Sequence, residues 1–283
     1  MSAGDKMKLG ITMFATDVSC SVIDLARDAE ARGFYSLYLP EHTHIPTSRT
    51  TPPPTGEDVL AEEYKRTVDP FVALGAAAAV TETIRLGTGI ALVAQRDPIV
   101  LAKEVATLDH ISNGRAILGI GFGWNREELA DHGVAFADRR AVVRERVRAM
   151  QALWASDEAG FDGEHVRISS SWSWPKPVQR PGVPVLLGGA AGPKLFAHIA
   201  EYCDGWIPIG GAGISAALPK LYEALAAVGR SADSVSIVPF GTLPDEGKLA
   251  YYADLGVREV VLRIPSVPRD EVLPILDQFA KYL

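Results

Sequence analysis

Residues 84–124, IRLGTGIALVAQRDPIVLAKEVATLDHISNGRAILGIGFGW, decide the fold. Two apolar runs, IRLGTGIALV and RAILGIGFGW, each break into glycines and bracket one amphipathic helical pattern. That is a βαβ unit whose strands both end in space the size of a ligand. Glycine at the exit of a buried strand lets the backbone approach a ligand closely. In open α/β sheets and in closed barrels, that end of the strand is where ligands bind. Relief of crowding accounts for any one of Gly87, Gly89, Gly119, Gly121 and Gly123 taken singly; the set points to a ligand site.

Working outward from this unit, strand-like runs fall at residues 8–14, 36–40, 84–92, 116–120, 184–187, 206–209, 236–240 and 259–264. Helical patterns alternate with them at 22–32, 70–80, 99–111, 139–154, 193–202, 216–228, 248–255 and 272–282. RAILGIG and EVVLRI are apolar without alternation, as parallel strands covered on both faces are. Eight β/α repeats closing on themselves predict an α/β fold of the (β/α)8 TIM-barrel type. A doubly wound open sheet fits less well, because no dinucleotide fingerprint follows the first strand. No Ser/Gly linker or low-complexity tract divides the chain, so residues 1–283 are expected to form one barrel domain. Two stretches exceed ordinary loop length: 42–69, with its Pro52-Pro53-Pro54 run, and 157–182, with Trp172 and Trp174. Long loops in compact domains are lids, binding loops or dimer contacts. The first follows strand 2 and is expected to overhang the site; the second is expected to form a small excursion before strand 5.

With 47% apolar residues the chain can bury a large core, and its formal charge of −7 argues against nucleic acid as a partner. No segment reaches the roughly 20 apolar residues needed to span a bilayer, and the N-terminus lacks a secretory core, so a cytoplasmic protein acting on a small molecule is expected. Cys20 and Cys203 have no Cys or His neighbours at zinc-finger spacing and read as buried free thiols.

His42 leaves the end of strand 2 in YLPEHTH, where it points to the barrel mouth. Imidazole titrates near neutrality and can pass a proton during turnover, so His42 is the candidate catalytic residue. Glu41 beside it is a candidate to orient a ring or accept a cofactor N–H. His44 finds no third ligand at metal-site spacing, so no metal is expected, and the remaining histidines read as packing or surface residues. Gly188, Gly189 and Gly192 lie between strand 5 and a helix opening at Pro193, an arrangement that suits an anion, with Lys194 adding a charge. Trp124 and Asn125, after strand 4, can stack on or hydrogen-bond to a flat ring, or Trp124 can plug the barrel top. Phe14, Trp172, Trp174 and Trp206 suggest a pocket for something partly apolar, unless they are core or interface residues.

Taken in order, LYLPEH (37–42), the run 84–129, DRRAVVRERVRAMQALW, PKPVQRPGVPVLLGG (175–189) and CDGWIPIGG (203–211) resemble the bacterial luciferase-like family of TIM-barrel oxidoreductases, and in particular its F420-dependent branch. The resemblance implies an acidic residue and a histidine closing strand 2, here Glu41 and His42, with glutamate in place of the more familiar aspartate. It implies a non-prolyl cis peptide at Gly89-Ile90, against the central cofactor ring, with Thr88 and Gly121 beside it. It also implies a cofactor-phosphate site at Gly188 and Gly189. The sugar-phosphate dehydrogenases of the branch carry a catalytic carboxylate after strand 4, where this chain has Trp124, which argues against sugar-phosphate oxidation. The expected activity is hydride transfer with coenzyme F420 on a small organic substrate, His42 giving or taking the proton. An FMN-dependent monooxygenase fed by a partner reductase is the alternative, since the two cofactors share a tricyclic ring, ribityl chain and phosphate; a non-catalytic flavin-binding protein is a third. A homodimer is implied by the same resemblance.

Overall fold

The computed structural model describes residues 6–53, 56 and 59–283; Pro54 of the proline run lies outside them. In chain order the strands are β1 (Lys8–Thr12), β2 (Ser36–Leu39), β3 (Arg85–Ala91), β4 (Ala116–Ile120), β5 (Glu158–Asp162), β6 (Arg167–Trp172), β7 (Val185–Gly188), β8 (Gly205–Ile207), β9 (Ser236–Ile237), β10 (Phe240–Thr242) and β11 (Glu259–Arg263). The helices are α1 (Val22–Ala31), α2 (Pro70–Ala78), α3 (Pro98–Ile111), α4 (Arg126–Asp131), α5 (Arg139–Ala155), α6 (Pro193–Tyr202), α7 (Ile214–Ala227), α8 (Glu246–Asp254) and α9 (Arg269–Phe279).

Nine strands form one parallel sheet in the order β10-β11-β1-β2-β3-β4-β7-β8-β9. Its two ends belong to a single run of chain, 236–242, interrupted at Val238-Pro239. Proline has no N–H to give a ladder, which suits it to such a break. Beyond the break Phe240 bridges to Ile209, donating its N–H to the Pro208 carbonyl at 3.0 Å and accepting from Gly210 N at 2.8 Å. On its other side Phe240 lies in register with Val261 of β11. Counted as one stave, 236–242 closes an eight-stave barrel, as the repeats predict.

The strands are buried on both faces, which is why they read as unbroken apolar runs. Tyr38, Ile117, Leu186, Ile207, Val238, Phe240 and Val261 fill the lumen. Their neighbours along the strands, such as Leu37, Leu39, Leu118 and Val260, face the helix ring. Aspartates set the helix starts near the site: Asp69 accepts from Phe71 N and Val72 N, Asp97 from Ile99 N and Val100 N, each followed by proline at the first helical position. Two elements were not expected. The 157–182 stretch holds the antiparallel hairpin β5–β6, tied to α5 by Glu145, which accepts from the backbone N–H groups of Glu164, His165 and Val166. The other is α4, a helix of six residues directly after the β4 exit. Cys20 and Cys203 are buried free thiols. Among the described residues, no helix is long and apolar enough to cross a membrane.

Candidate active site

A cavity of about 500 Å³ opens at the C-terminal ends of the barrel strands, lined by residues that include Met13, Phe14, His42, Tyr64, Ile90, Phe122 and Trp124. A second cavity, of about 460 Å³, lies among strand-start residues such as Arg85, Ser236 and Glu259. That is the opposite face of the barrel, where this architecture places stability rather than chemistry.

His42 is held from three directions. Its carbonyl accepts from Thr67 Oγ1 at 3.2 Å, its ring stands 5.3 Å from that of Tyr64 and 5.8 Å from that of Trp124, and its Nδ1 lies 2.9 Å from Glu128 Oε2. Phe14 extends the aromatic group, 4.7 Å from Tyr64. Glu128 comes from α4, whose start is capped by Asn125 accepting from Glu128 N. The His42 and Glu128 side chains are 6% and 1% exposed, so the pair is buried. Glu128 is the carboxylate that the sequence did not show directly after strand 4; it comes four residues past Trp124.

The same short helix holds the loop that follows β2. Glu127 accepts from Thr50 N at 2.7 Å and from Thr51 Oγ1 at 2.5 Å, Asp131 meets His44 Nε2 at 2.9 Å, and His132 Nε2 lies 2.8 Å from Thr43 Oγ1. Burial, and then the neighbouring His44, hold the His132 imidazole below its ordinary value. Thr43, His44 and His132 are thus joined, but among the described residues no group of three or more His, Cys, Asp or Glu is placed to hold a metal.

Other expected site residues divide into wall and backing. Glu41, Gly89, Ile90, Gly121, Trp124, Gly188 and Gly189 line the cavity. The Gly89-Ile90 peptide is cis, and the Ile90 side chain lies against Gly121 and Gly188. Glu41 spends both carboxylate oxygens on the protein, Oε2 on Leu92 N at 2.7 Å and Oε1 on Arg96 Nε at 2.6 Å, so it braces the β3 exit. Thr88 and Asn125 stand behind the wall: Thr88 Oγ1 donates to the Gly119 carbonyl, and Asn125 serves α4. Gly189 donates its N–H to Ile207 O at 3.3 Å, so that amide is already engaged, and Lys194 is exposed outside the cavity lining. Among the aromatics, Phe14 lines the cavity and Trp206 is core, its Nε1 donating to Gly189 O. Trp172 and Trp174 are exposed on and beside the hairpin, apart from the cavity.

The cationic wall is one the sequence reading passed over. Arg139 and Arg140, the first two residues of α5, line the cavity, their guanidinium groups 3.5 Å from the Phe136 ring centroid and 4.5 Å from that of Phe122. Arg139 Nε and Arg140 Nη1 are buried without a hydrogen-bond partner. Burial, and then repulsion from Arg140 and Arg126, hold the Arg139 guanidinium below its ordinary value. A signal was present: cations in the first turn oppose the helix dipole, so an Arg-Arg pair there asks for an anion.

A cavity holding a buried histidine at the C-terminal strand ends is the layout of a TIM-barrel enzyme site. Residues 15–243 match the luciferase-like monooxygenase family, and the chain belongs to it. It is 45% identical over 280 residues to a protein of Mycobacterium tuberculosis described as uncharacterized, covering 98% of this chain and 99% of that one. It is 30% identical over 245 residues to the F420-dependent glucose-6-phosphate dehydrogenase of Kineococcus radiotolerans, covering 81% of this chain and 65% of that one. Two solved structures share the fold, each over 98% of both chains. One is monooxygenase RslO1 from Streptomyces bottropensis, with TM-score 0.76 and 21% identity. The other is an F420-dependent secondary alcohol dehydrogenase in complex with an F420-acetone adduct, with TM-score 0.74 and 18% identity.

Proposed function

We propose that this chain is an oxidoreductase that uses coenzyme F420 on a small organic substrate, with His42 giving or taking the proton that accompanies hydride transfer. One observation carries the reading: a single apolar cavity joins a buried imidazole to two guanidinium groups that each have an N–H with nothing to bond. Buried charged donors without partners are costly, and an anionic ligand group would satisfy both. The site fits a cofactor with a flat ring and a phosphate: cationic donors and the double glycine line one cavity, and its space is bounded by Ile90 and by glycines that project no side chain.

When bound, the deazaflavin supplies hydride chemistry at ring carbon 5. The chain's own residues do the rest. Arg139 and Arg140 would hold the phosphate by charge-assisted hydrogen bonds. Ile90, which lies against Gly121 and Gly188, would back the ring. Phe14, Tyr64 and Trp124 exclude water and receive the substrate, and His42 handles its proton. The F420-dependent relative at 30% identity supports the cofactor.

Titrating the purified protein with F420 and, separately, with FMN, following quenching of cofactor fluorescence, tests this. Micromolar or tighter F420 binding with FMN much weaker is expected, with His42→Ala binding normally but failing to turn over. Arg140→Gln should weaken binding about tenfold or more, the scale of one charge-assisted hydrogen bond. The reverse cofactor preference moves the assignment to a flavin monooxygenase fed by a reductase and makes oxygen consumption the next assay. Binding without turnover in the unaltered protein would point to a carrier.

A further inference from the structure

We infer that Glu128 is the positioning residue for His42: it fixes the neutral imidazole with its proton on Nδ1, leaving the Nε2 lone pair to act at the cavity. The inference rests on the proposed role of His42 and adds the group that sets it.

A carboxylate can only accept, so a hydrogen bond between ionised Glu128 and neutral His42 requires the proton on Nδ1. Nε2 has no hydrogen-bond partner among the described residues, while His42 itself lines the cavity, so the basic nitrogen is the one a substrate meets. Glu128 Oε1 is buried with no partner, so His42 is the group that satisfies this carboxylate. When Nε2 takes a proton, the imidazolium forms beside a buried carboxylate that bonds no other side chain, and the pair passes from one negative charge to neutral. A helix start of the Asn-x-x-Glu kind ordinarily turns the glutamate back to its own cap. Here Asn125 caps and Glu128 turns away, across to the end of β2.

Nitrogen-15 NMR on protein labelled at histidine, with His42→Asn to assign its signals, reads the tautomer directly and without cofactor. At pH 8 the unaltered protein should show a protonated Nδ1 and an unprotonated Nε2. Glu128→Leu should move the proton to Nε2, the tautomer free imidazole favours, and Glu128→Gln, which keeps size and polarity, should give a mixture. With cofactor and substrate, Glu128→Gln should lower kcat about a hundredfold with KM within a fewfold, while Glu128→Asp recovers part of the loss. A proton on Nε2 in the unaltered protein, or one pattern shared by all variants, overturns the inference. Failure of both F420 and FMN to bind would sink the cofactor reading and leave the tautomer result standing, so the two failures are separable.

Discussion

Gly119 and Gly121 stand two residues apart in GIGFG, and a methyl group added to each would meet unlike neighbours. At Gly119 it would strike the Thr88 carbonyl, which is backbone; at Gly121 it would strike Ile90 Cδ1, the far end of a flexible side chain. Gly119→Ala should therefore lose about 1–3 kcal/mol of stability, the cost of overpacking a core. Gly121→Ala should fold with a nearly unchanged Tm and bind cofactor more weakly, because Ile90 must turn into the cavity. Denaturant melts and a fluorescence titration on the two variants check this pair, and equal loss of stability would defeat it. The sequence shows both glycines at a strand exit but not which one faces ligand, because that depends on the cross-strand neighbour. His42 was legible for the opposite reason: its place at the end of β2 fixes its direction. Glu128 was not, since its partner lies 86 residues earlier in the chain.

At the scale of elements, strands buried on both faces and helices with proline at their first turn declare themselves, and their expected and observed limits differ by a few residues. The elements that escaped are those whose stability comes from elsewhere. REELAD is too short to stand as a helix alone and depends on the Asn125 cap and on the loop it grips. The β5–β6 hairpin, EAGFD and RISSSW, carries few apolar residues to alternate and leans on Glu145. The loop after β2 is latched through Glu127, whose carboxyl is pulled down to about 2 by the Thr51 hydroxyl and then the Thr50 amide. The folded value lies below the ordinary 4.5, so the latch is fully present above about pH 4.5 and fades as the pH falls toward 2. Glu127→Gln should speed hydrogen exchange at the Thr50 and Thr51 amides and raise KM while leaving the Tm almost unmoved. Unchanged exchange at these amides would mean that the loop is held by other contacts.

Across the whole molecule, α2 is apolar on every side yet only partly covered: Val72 is 76% exposed, and Ile99 and Val100 in the first turn of the neighbouring α3 are exposed too. Such a patch fits a second copy of the chain. The protein is expected to run as a dimer by light scattering, and Val72→Glu as a monomer with its barrel intact. The barrel also sets a limit on redesign. Phe240 supplies the backbone seam that closes the ring and, through its side chain, part of the cavity wall, packed where Gly89 leaves room and 5.5 Å from the Tyr38 ring. Enlarging the pocket by trimming Phe240 would leave a hole in the wall beside this seam, at a cost of about 3–5 kcal/mol. Room for a bulkier substrate is gained more cheaply at Ile209, which lines the same cavity and is already largely exposed.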